Sequence, residues 1–387
     1  MADKNDVKSF DEVLRQTDEA VKRALKEWAE KIVNAAQTEK RVYMEVPVRT
    51  LSNVHYDEEA GVIKMGERVA QREFLNVGHA KRFLQTALVA ATIKDLVDEG
   101  ITTSLRDVYY RIKHTIPGTK ENTVDEQKES DKVLEDLETM LGFVREQLHV
   151  FSKGGKGQLA GPIQLEEIVP NPDGGVRTVE IDGENVGMGG WSVPPIAEPE
   201  RVRIKKVDAE FVLVIEKSAV WTRFHEDRFW DEHNCIIITA GGQPDRATRR
   251  IVHRLHYDYK LPVYVMTDAD AWGWYIYSVY KQGSINLSYL STTLATPDAK
   301  FLGLTISDYH EFDFPRTVKI KLTEQDKKRL KDLRKYPWFK HKAWHKEFDL
   351  MEKENFKMEL EAGSSKYFRF LTKEYTPAKI EAKAFLP

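Results

Sequence analysis

Phe211-Val-Leu-Val-Ile-Glu216, Cys235-Ile-Ile-Ile-Thr239 and Pro262-Val-Tyr-Val-Met-Thr-Asp-Ala-Asp270 decide the fold of this chain. Each is a short, unbroken apolar run rich in β-branched residues, and helical patterns separate them. One helical stretch reaches about Trp230. Another runs from Pro244, which suits a first helical turn, to about Tyr257, and a third begins at Trp272. Strands that are apolar throughout need cover on both faces. The pattern therefore predicts an α/β domain with a parallel sheet between helices. Thr323 to about Ala362 adds one or two helices, interrupted near Pro337.

Upstream, the segment from about Asn171 to Arg201 is rich in Pro and Gly and reads as a connection with some hairpin structure. Before it, Phe83, Leu84, Ala87, Leu88, Ala91 and Leu96 mark a helix that stops at Gly100. Ser104 and Asp107 form a capping box for a second helix, and Ser130 is expected to cap a third. Short strands Leu148–Ser152 and Gln158–Ala160 flank the basic, glycine-rich Lys153-Gly-Gly-Lys-Gly157. Three helices and such a hairpin predict a winged helix-turn-helix of the CAP-like kind. An amphipathic helix from about Asp18 to Ala36, then strands Arg41–Arg49 and Val62–Met65 around an Asp57–Gly61 turn, form an N-terminal extension. The expected domains are thus 1–75, the extension; 76–170, the winged helix; 171–203, the connection; and 204–387, the α/β domain with C-terminal helices.

Composition narrows the function. The 387 residues are 41% hydrophobic and 31% charged, the mixture of a globular chain, and no apolar run is long enough to span a bilayer. Cys235 is the only cysteine, which excludes an intrachain disulfide and a cysteine zinc site. The charged start Met-Ala-Asp-Lys-Asn-Asp lacks a signal-peptide core, so a cytoplasmic location is expected. The formal charge of −3 hides polarised segments. Arg316 to Lys346 holds twelve Lys/Arg against three acids, and Glu121 to Glu138 holds eight acids against two lysines. The basic run, with Trp338, Phe339 and Trp344 interleaved, suggests a nucleic-acid track, although a solvated helical face is the commoner meaning of such a run.

Two constellations carry chemistry. In Leu105-Arg-Asp-Val-Tyr-Tyr-Arg-Ile-Lys-His114, helical spacing puts Leu105, Val108, Tyr109 and Ile112 on an apolar face. Arg106, Tyr110, Lys113 and His114 fall on another. A tyrosine hydroxyl beside cations is suited to attack phosphate, because the cations neutralise the phosphate and favour the phenolate. In isolation the same residues describe an ordinary solvent-facing tyrosine. The second constellation is acidic. Glu216 ends one strand, and Asp268 and Asp270 follow another, where open α/β sheets bind ligands. Three carboxylates with open positions suit magnesium. Acids at strand ends also serve as plain caps, but the paired arrangement resembles the signature of the Toprim domain. Lys153 and Lys156 on the glycine-rich wing would suit DNA phosphates. Gly241-Gly-Gln-Pro-Asp245 either lines the acidic cleft or is a tight βα connection. No phosphate-cradling loop ends in Lys-Ser/Thr, so this chain is expected neither to bind nor to hydrolyse ATP.

Together, Arg106-Asp-Val-Tyr-Tyr110, Ser152-Lys-Gly, Val214-Ile-Glu-Lys217, Thr267-Asp-Ala-Asp270 with Trp272-Gly273, and Phe301-Leu-Gly-Leu-Thr-Ile-Ser-Asp308 stand in an order that resembles the A-subunit family of DNA topoisomerase VI, the type IIB enzyme, over roughly residues 70 to 385. The family is related to the meiotic double-strand-break protein. The resemblance implies that Tyr110 attacks the DNA backbone and that Arg106 helps hold the scissile phosphate. It implies that Glu216, Asp268 and Asp270 bind magnesium, with Glu216 either a ligand or a general acid or base. It further implies a homodimer that pairs with an ATP-binding, GHKL-type B subunit into an A2B2 heterotetramer, passes one duplex through a transient break in another, and associates with the nucleoid. Lys113, His114, Lys153 and Lys156 are the expected DNA contacts. Ala271 stands where the family would have proline, a change in loop rigidity rather than ligation. The acidic third helix argues against base reading in the major groove. The alternatives are a break-forming relative that does not reseal, a non-catalytic winged-helix regulator, and a Toprim nuclease that uses metal and water.

Overall fold

The three apolar runs become the buried centre of a sheet. In the computed structural model, which describes residues 10–38, 40–152, 155–170 and 175–387, strands Cys235–Thr239, Phe211–Ile215, Val263–Met266 and Lys300–Gly303 lie side by side in that spatial order, all parallel. Val214 pairs with Ile238 on one side and Val265 on the other. All five residues of Phe211–Ile215 and of Cys235–Thr239 are buried, as helices on both faces require. The chain starts in the middle of this set, steps to one side, and returns to the other. Winding therefore reverses at Phe211–Ile215, and the crevice beyond its carboxyl end is where such a sheet binds ligands.

The helices follow the expected punctuation with two shifts. Arg246–Tyr259 starts after Pro244, because the Asp245 carboxylate accepts the Thr248 N–H at 2.7 Å and fixes the N-cap there. The basic C-terminal region divides into Glu324–Leu333, a 3-10 turn at Pro337–Phe339, and Lys342–Glu354.

In the N-terminal half, helices Val77–Glu99, Leu105–Ile112 and Gln127–Leu141 share one core with the long helix Phe10–Gln37. Val21, Val89, Ile93, Val108, Val133, Leu134 and Leu137 are its centre. Ser130 does not cap the third helix. It lies inside it, since the Glu129 carboxylate accepts the Glu126 N–H at 3.2 Å and starts the helix earlier. The extension also pairs differently from the expectation. Val62–Met65 turns back on Val54–Asp57, whereas Tyr43–Pro47 pairs with Val69–Glu73.

The wing expected around Lys153–Gly157 is not a hairpin. Val150–Phe151 lies parallel to Thr103–Ser104, but Gln158–Ala160 joins the large sheet, antiparallel to Cys235–Thr239, with Trp191–Ser192 beyond it. The segment thus crosses from one unit to the other. Gly157 makes that crossing: a Cβ there would meet Thr248 Oγ1 at 2.5 Å and Val193 Cγ2 at 2.8 Å. Lys153 lies outside the described residues. The Pro/Gly-rich connection is structured too. Val176–Asp182 and Val202–Val207 flank Ile163–Pro170 in a three-stranded antiparallel sheet, with 171–174 outside the described residues.

The end of the acidic run, Glu135, Asp136 and Glu138, is taken up by arginines of the fold, whereas Glu121, Asp125 and Glu126 are exposed. Arg49 pairs with Glu135 and Asp136 at 2.5 and 2.7 Å, and Arg72 with Asp136 at 2.6 Å. Buried Glu138 accepts Arg145 N–H at 2.7 Å, Arg246 Nη1 at 2.6 Å and Tyr289 Oη at 2.9 Å. Arg246 opens a helix of the large sheet, so this carboxylate joins the two halves. Burial favours its neutral acid, yet the Arg246 and Arg145 guanidiniums outweigh that and hold it at about 2.

Removing one member of such a buried set leaves uncompensated charge. Glu138→Gln is expected to lower unfolding free energy by about 3–5 kcal/mol. Glu135→Gln, more open to water, should cost less than about 1 kcal/mol. Because folding holds the Glu138 acid well below its ordinary 4.5, its contribution is complete above about pH 4.5 and falls away as the group is protonated in acid. Denaturant unfolding of wild type and Glu138→Gln at a series of pH values checks this, and the two should converge in acid.

Candidate active site

The first part of the site is built on Leu105–Ile112. The Ser104 hydroxyl accepts the Asp107 N–H at 3.2 Å, and the Asp107 carboxylate accepts the Ser104 N–H at 3.3 Å. This box pins the start of the helix, and the helical period then separates two adjacent tyrosines. Tyr109 is 8% exposed and donates its hydroxyl to the Asp125 carbonyl at 3.0 Å. Tyr110 is 58% exposed, its ring lies edge-on to Tyr109 at 5.0 Å, and the Arg106 guanidinium stands 5.8 Å from the ring centre. Among the described residues the Tyr110 hydroxyl has no hydrogen-bond partner.

The cations expected beside Tyr110 are distributed differently. Arg106 is there, but Lys113 leaves the helix as its C-cap and donates to the Tyr109 hydroxyl at 2.5 Å. That hydrogen bond raises the Lys113 pKa above its ordinary value. His114 lies past the helix and is exposed, with its N–H donating to Thr123 Oγ1. Lys156 is exposed in the crossing segment.

The second part lies at the switch point of the sheet. Glu216 follows Phe211–Ile215, and its Oε2 accepts the Asp268 N–H at 2.9 Å. The Asp268 carboxylate accepts the Leu360 N–H at 2.8 Å and pairs with Lys217 at 3.1 Å. Asp270 caps the helix Ala271–Gln282, accepting Trp272 N–H at 2.9 Å and Gly273 N–H at 2.7 Å through one oxygen. Its other oxygen lies 3.7 Å from Lys357. Gly273 is required by this close approach: a Cβ would meet the Asp268 carbonyl at 2.5 Å. Ala271 is N1 of the helix, where proline loses no backbone bond, so alanine leaves the cap intact. The Gly241–Asp245 connection lies against this cluster, with Gly242 N–H donating to the Glu216 carbonyl at 2.8 Å.

Burial first, and then the neighbouring carboxylate of Asp268, pushes Glu216 up to about 7. Asp268 is pushed up to about 6 by burial, against the pull of the Leu360 N–H and Lys217, and burial raises Asp270 as well. Ionised together, the three carboxylates would be an excess of buried negative charge, which is why their neutral forms are favoured. Lys217, within 3.3 Å of Glu359 and 2.7 Å of Glu361 as well, and Lys357 are its internal counter-cations. Among the described residues no three His, Cys, Asp or Glu side chains are gathered closely enough to enclose a metal ion as they stand. The cap on Asp270 and the Lys217 bridge on Asp268 account for that spread. The oxygen-only donor set and its unneutralised charge still fit a hard divalent cation.

The sequence reading located Glu216, Asp268, Asp270, Arg106 and Tyr110, and the fold brings the three acids to one sheet edge. It missed Lys217 as a partner of Asp268, although Lys217 stands inside a quoted motif. It also missed the strap Phe356–Ser365, whose Met358 bridges Ala269 and whose Leu360 binds Asp268 from 92 residues along the chain. No spacing rule signals such a strap. The interleaved aromatics are not a stacking surface: Phe339 and Trp344 are fully buried, and Trp338 stacks on Tyr336 at 4.6 Å.

Comparison with known proteins identifies the family. Residues 211–380 match a family model described as the Toprim domain of the topoisomerase 6 A-subunit/Spo11 family, and residues 81–150 match one described as type IIB DNA topoisomerase. The chain is 43% identical over 376 residues to the A-subunit of type 2 DNA topoisomerase 6 from Pyrococcus abyssi, covering 95% of each. It is 44% identical over 355 residues to the protein of that name from Aeropyrum pernix, covering 87% of this chain and 88% of the relative. Against the Halobacterium salinarum protein it is 34% identical over 337 residues, covering 87% and 89%.

The two acids at either end of this cluster should differ in what they do for stability. Asp270→Ala removes a helix cap and is expected to cost about 1 kcal/mol. Glu216→Gln keeps an acceptor for the Asp268 N–H while removing a buried like charge, so its thermal unfolding midpoint in chelator should equal or exceed that of wild type. A midpoint several degrees lower would contradict the electrostatic account.

Proposed function

The chain belongs to the topoisomerase 6 A-subunit/Spo11 family, and on that premise we propose that it is the DNA-cleaving component of a type IIB DNA topoisomerase that breaks both strands of a duplex by tyrosine transesterification. The observation that carries the reading is the coexistence of a half-exposed Tyr110 under Arg106 with three buried carboxylates at the switch point of a Toprim sheet. The first is a nucleophile for phosphorus, and the second is a place for cationic charge.

In the proposed reaction the Tyr110 oxygen attacks a backbone phosphorus. A phosphotyrosyl bond forms, one deoxyribose oxygen leaves as a hydroxyl, and the phenolic proton is given up. The ester conserves the energy of the broken bond, so attack by the freed hydroxyl reseals the strand without ATP. Arg106 neutralises charge on the phosphate oxygens as it grows in the transition state. Glu216, Asp268 and Asp270 would hold magnesium, whose positive charge would assist at the phosphate when bound. Lys217 and Lys357 keep the acids apart and partly neutralised in its absence.

The family premise extends this to the assembly. Two strands need two tyrosines, and hence two copies of the chain about a two-fold axis. The ATP-dependent steps belong to a GHKL-type B subunit in an A2B2 complex. This fits a chain without a phosphate loop ending in Lys-Ser/Thr, and among the described residues no helix is long and apolar enough to cross a membrane. The tyrosine of one protomer is proposed to meet the acids of the other.

Tyr110→Phe is expected to abolish cleavage and covalent attachment while altering stability by less than about 0.5 kcal/mol. Tyr109→Phe should remain active. Denaturing gels of detergent-quenched reactions with supercoiled DNA and the ATP-binding partner read both outcomes. Covalent attachment by Tyr110→Phe chains would refute the nucleophile assignment, and full cleavage by Asp268→Ala in chelator would refute the metal site.

Heterodimers of Tyr110→Phe with Glu216→Ala chains separate shared from self-contained sites. In trans, one composite site carries both lesions and the other none, so the heterodimer should nick one strand. Absence of nicking, with wild-type dimers active, would show each protomer to be self-contained.

A further inference from the structure

Of the twelve cations in the basic run Arg316–Lys346, four are paired with carboxylates, and of the other eight Arg329 is the one that, among the described residues, lies over aromatic rings. Lys319 pairs with Glu354, Lys327 with Glu324, Lys335 with Asp332, and Arg334 with both Asp349 and Glu352. Arg329 has no carboxylate within salt-bridge distance among the described residues. Its guanidinium instead lies over two aromatic rings, 4.1 Å from the Trp272 ring centre and 4.5 Å from that of Tyr275. Trp272 is 44% exposed. The indole thus keeps one part of its surface open to solvent on the helix that starts at Asp270.

The place of this pair is fixed by the acidic site itself. Trp272 is in the first turn of the helix capped by Asp270, and its N–H donates to that carboxylate. Arg329 is on Glu324–Leu333, one turn after Asp326, hence on the same face. The Asp326 carboxylate closes the capping box of Thr323, with Thr323 N–H at 2.9 Å, and binds Lys357 at 2.9 Å. Lys357 in turn faces Asp270. The chain Asp326–Lys357–Asp270 therefore sets Arg329 beside the metal-ligand edge. A stacked guanidinium with unoccupied donors presents them in a fixed plane, the geometry that suits phosphate oxygens.

We propose that Arg329, oriented by Trp272 and Tyr275, binds a DNA backbone phosphate flanking the cleaved one. This rests on the reading of the chain as a DNA-cleaving protein, and it adds a contact from the C-terminal helices that the tyrosine, Arg106 and the acids do not supply. Trp272 acts as a positioning residue for the guanidinium.

Salt dependence of duplex binding tests this directly. The full chain is titrated into a fluorescein-labelled blunt duplex by anisotropy, in chelator, over a series of KCl concentrations. Arg329→Gln is expected to weaken binding several-fold at low salt and to lower the slope of log affinity against log salt by about 0.9 for each phosphate released. Arg329→Lys, which retains charge, should recover most of the slope. Trp272→Ala should weaken binding with Arg329 intact. Arg334→Gln is the control, since Asp349 and Glu352 already occupy that guanidinium, and its slope should equal that of wild type. Thermal unfolding of each variant establishes that it is folded. An unchanged slope for folded Arg329→Gln, or the same loss in Arg334→Gln, would overturn this contact while leaving the cleavage reading standing. A wild-type chain that does not bind the duplex would overturn both.

Discussion

The carboxylate of Glu138 is the constraint on which the two halves of this protein depend. A buried charge must be matched by opposite charge and filled hydrogen-bond sites, or the fold expels it. Here the match comes from Arg145 nearby in sequence and from Arg246 and Tyr289 on the far unit. Those partners have fixed donor geometry, so the bond sets position as well as affinity. The helix that carries Tyr110 packs on the helix that ends near Glu138, and Arg246 begins a helix of the sheet whose edge carries Glu216. One ion cluster thus gives Tyr110 and the acids a common frame. It also explains an acidic helix in a nucleic-acid enzyme: that surface is already occupied by Arg49, Arg72, Arg145 and Arg246.

The acidic edge reverses that logic. Burial and mutual repulsion push Glu216 to about 7 and Asp268 to about 6, so the fold tolerates these acids at a stability cost rather than benefiting from them. The surrounding structure over-determines them: a helix cap on Asp270, a strap N–H on Asp268, a backbone N–H on Glu216, and two lysines between the strap and the cluster. Perturbed acids of this kind concentrate at functional sites, and the proposed magnesium would relieve their repulsion.

Much of this was legible from residues alone, for reasons of locality. Tyr110 and Tyr109 separate because a helix turns 3.6 residues per cycle, and the box of Ser104 and Asp107 fixes where that cycle begins. The unbroken apolar strands announce burial on both faces, and acids at their carboxyl ends announce a site. The wing was misread because Leu148–Ser152 and Gln158–Ala160 are close in sequence and look like a hairpin. Their partners, Thr103–Ser104 and Cys235–Thr239, are set by packing against a distant sheet. The strand partner of Tyr43–Pro47 was missed in the same way, since Val69–Glu73 has no stronger local signal than Val62–Met65.

The sequence by itself therefore indicated the main helices and the buried strands, the exposed Tyr110, the three acids and the family to which they point. All of these rest on interactions within a few residues or on a period that repeats along the chain. Only the tertiary structure decided which charges are spent on the fold and which remain for a ligand. Glu138 and Glu216 are both glutamates in charged surroundings, and nothing local shows which partner each will meet. One is neutralised by an arginine from the other half of the chain and holds the protein together. The other is left beside Asp268 and Asp270, at the proposed site.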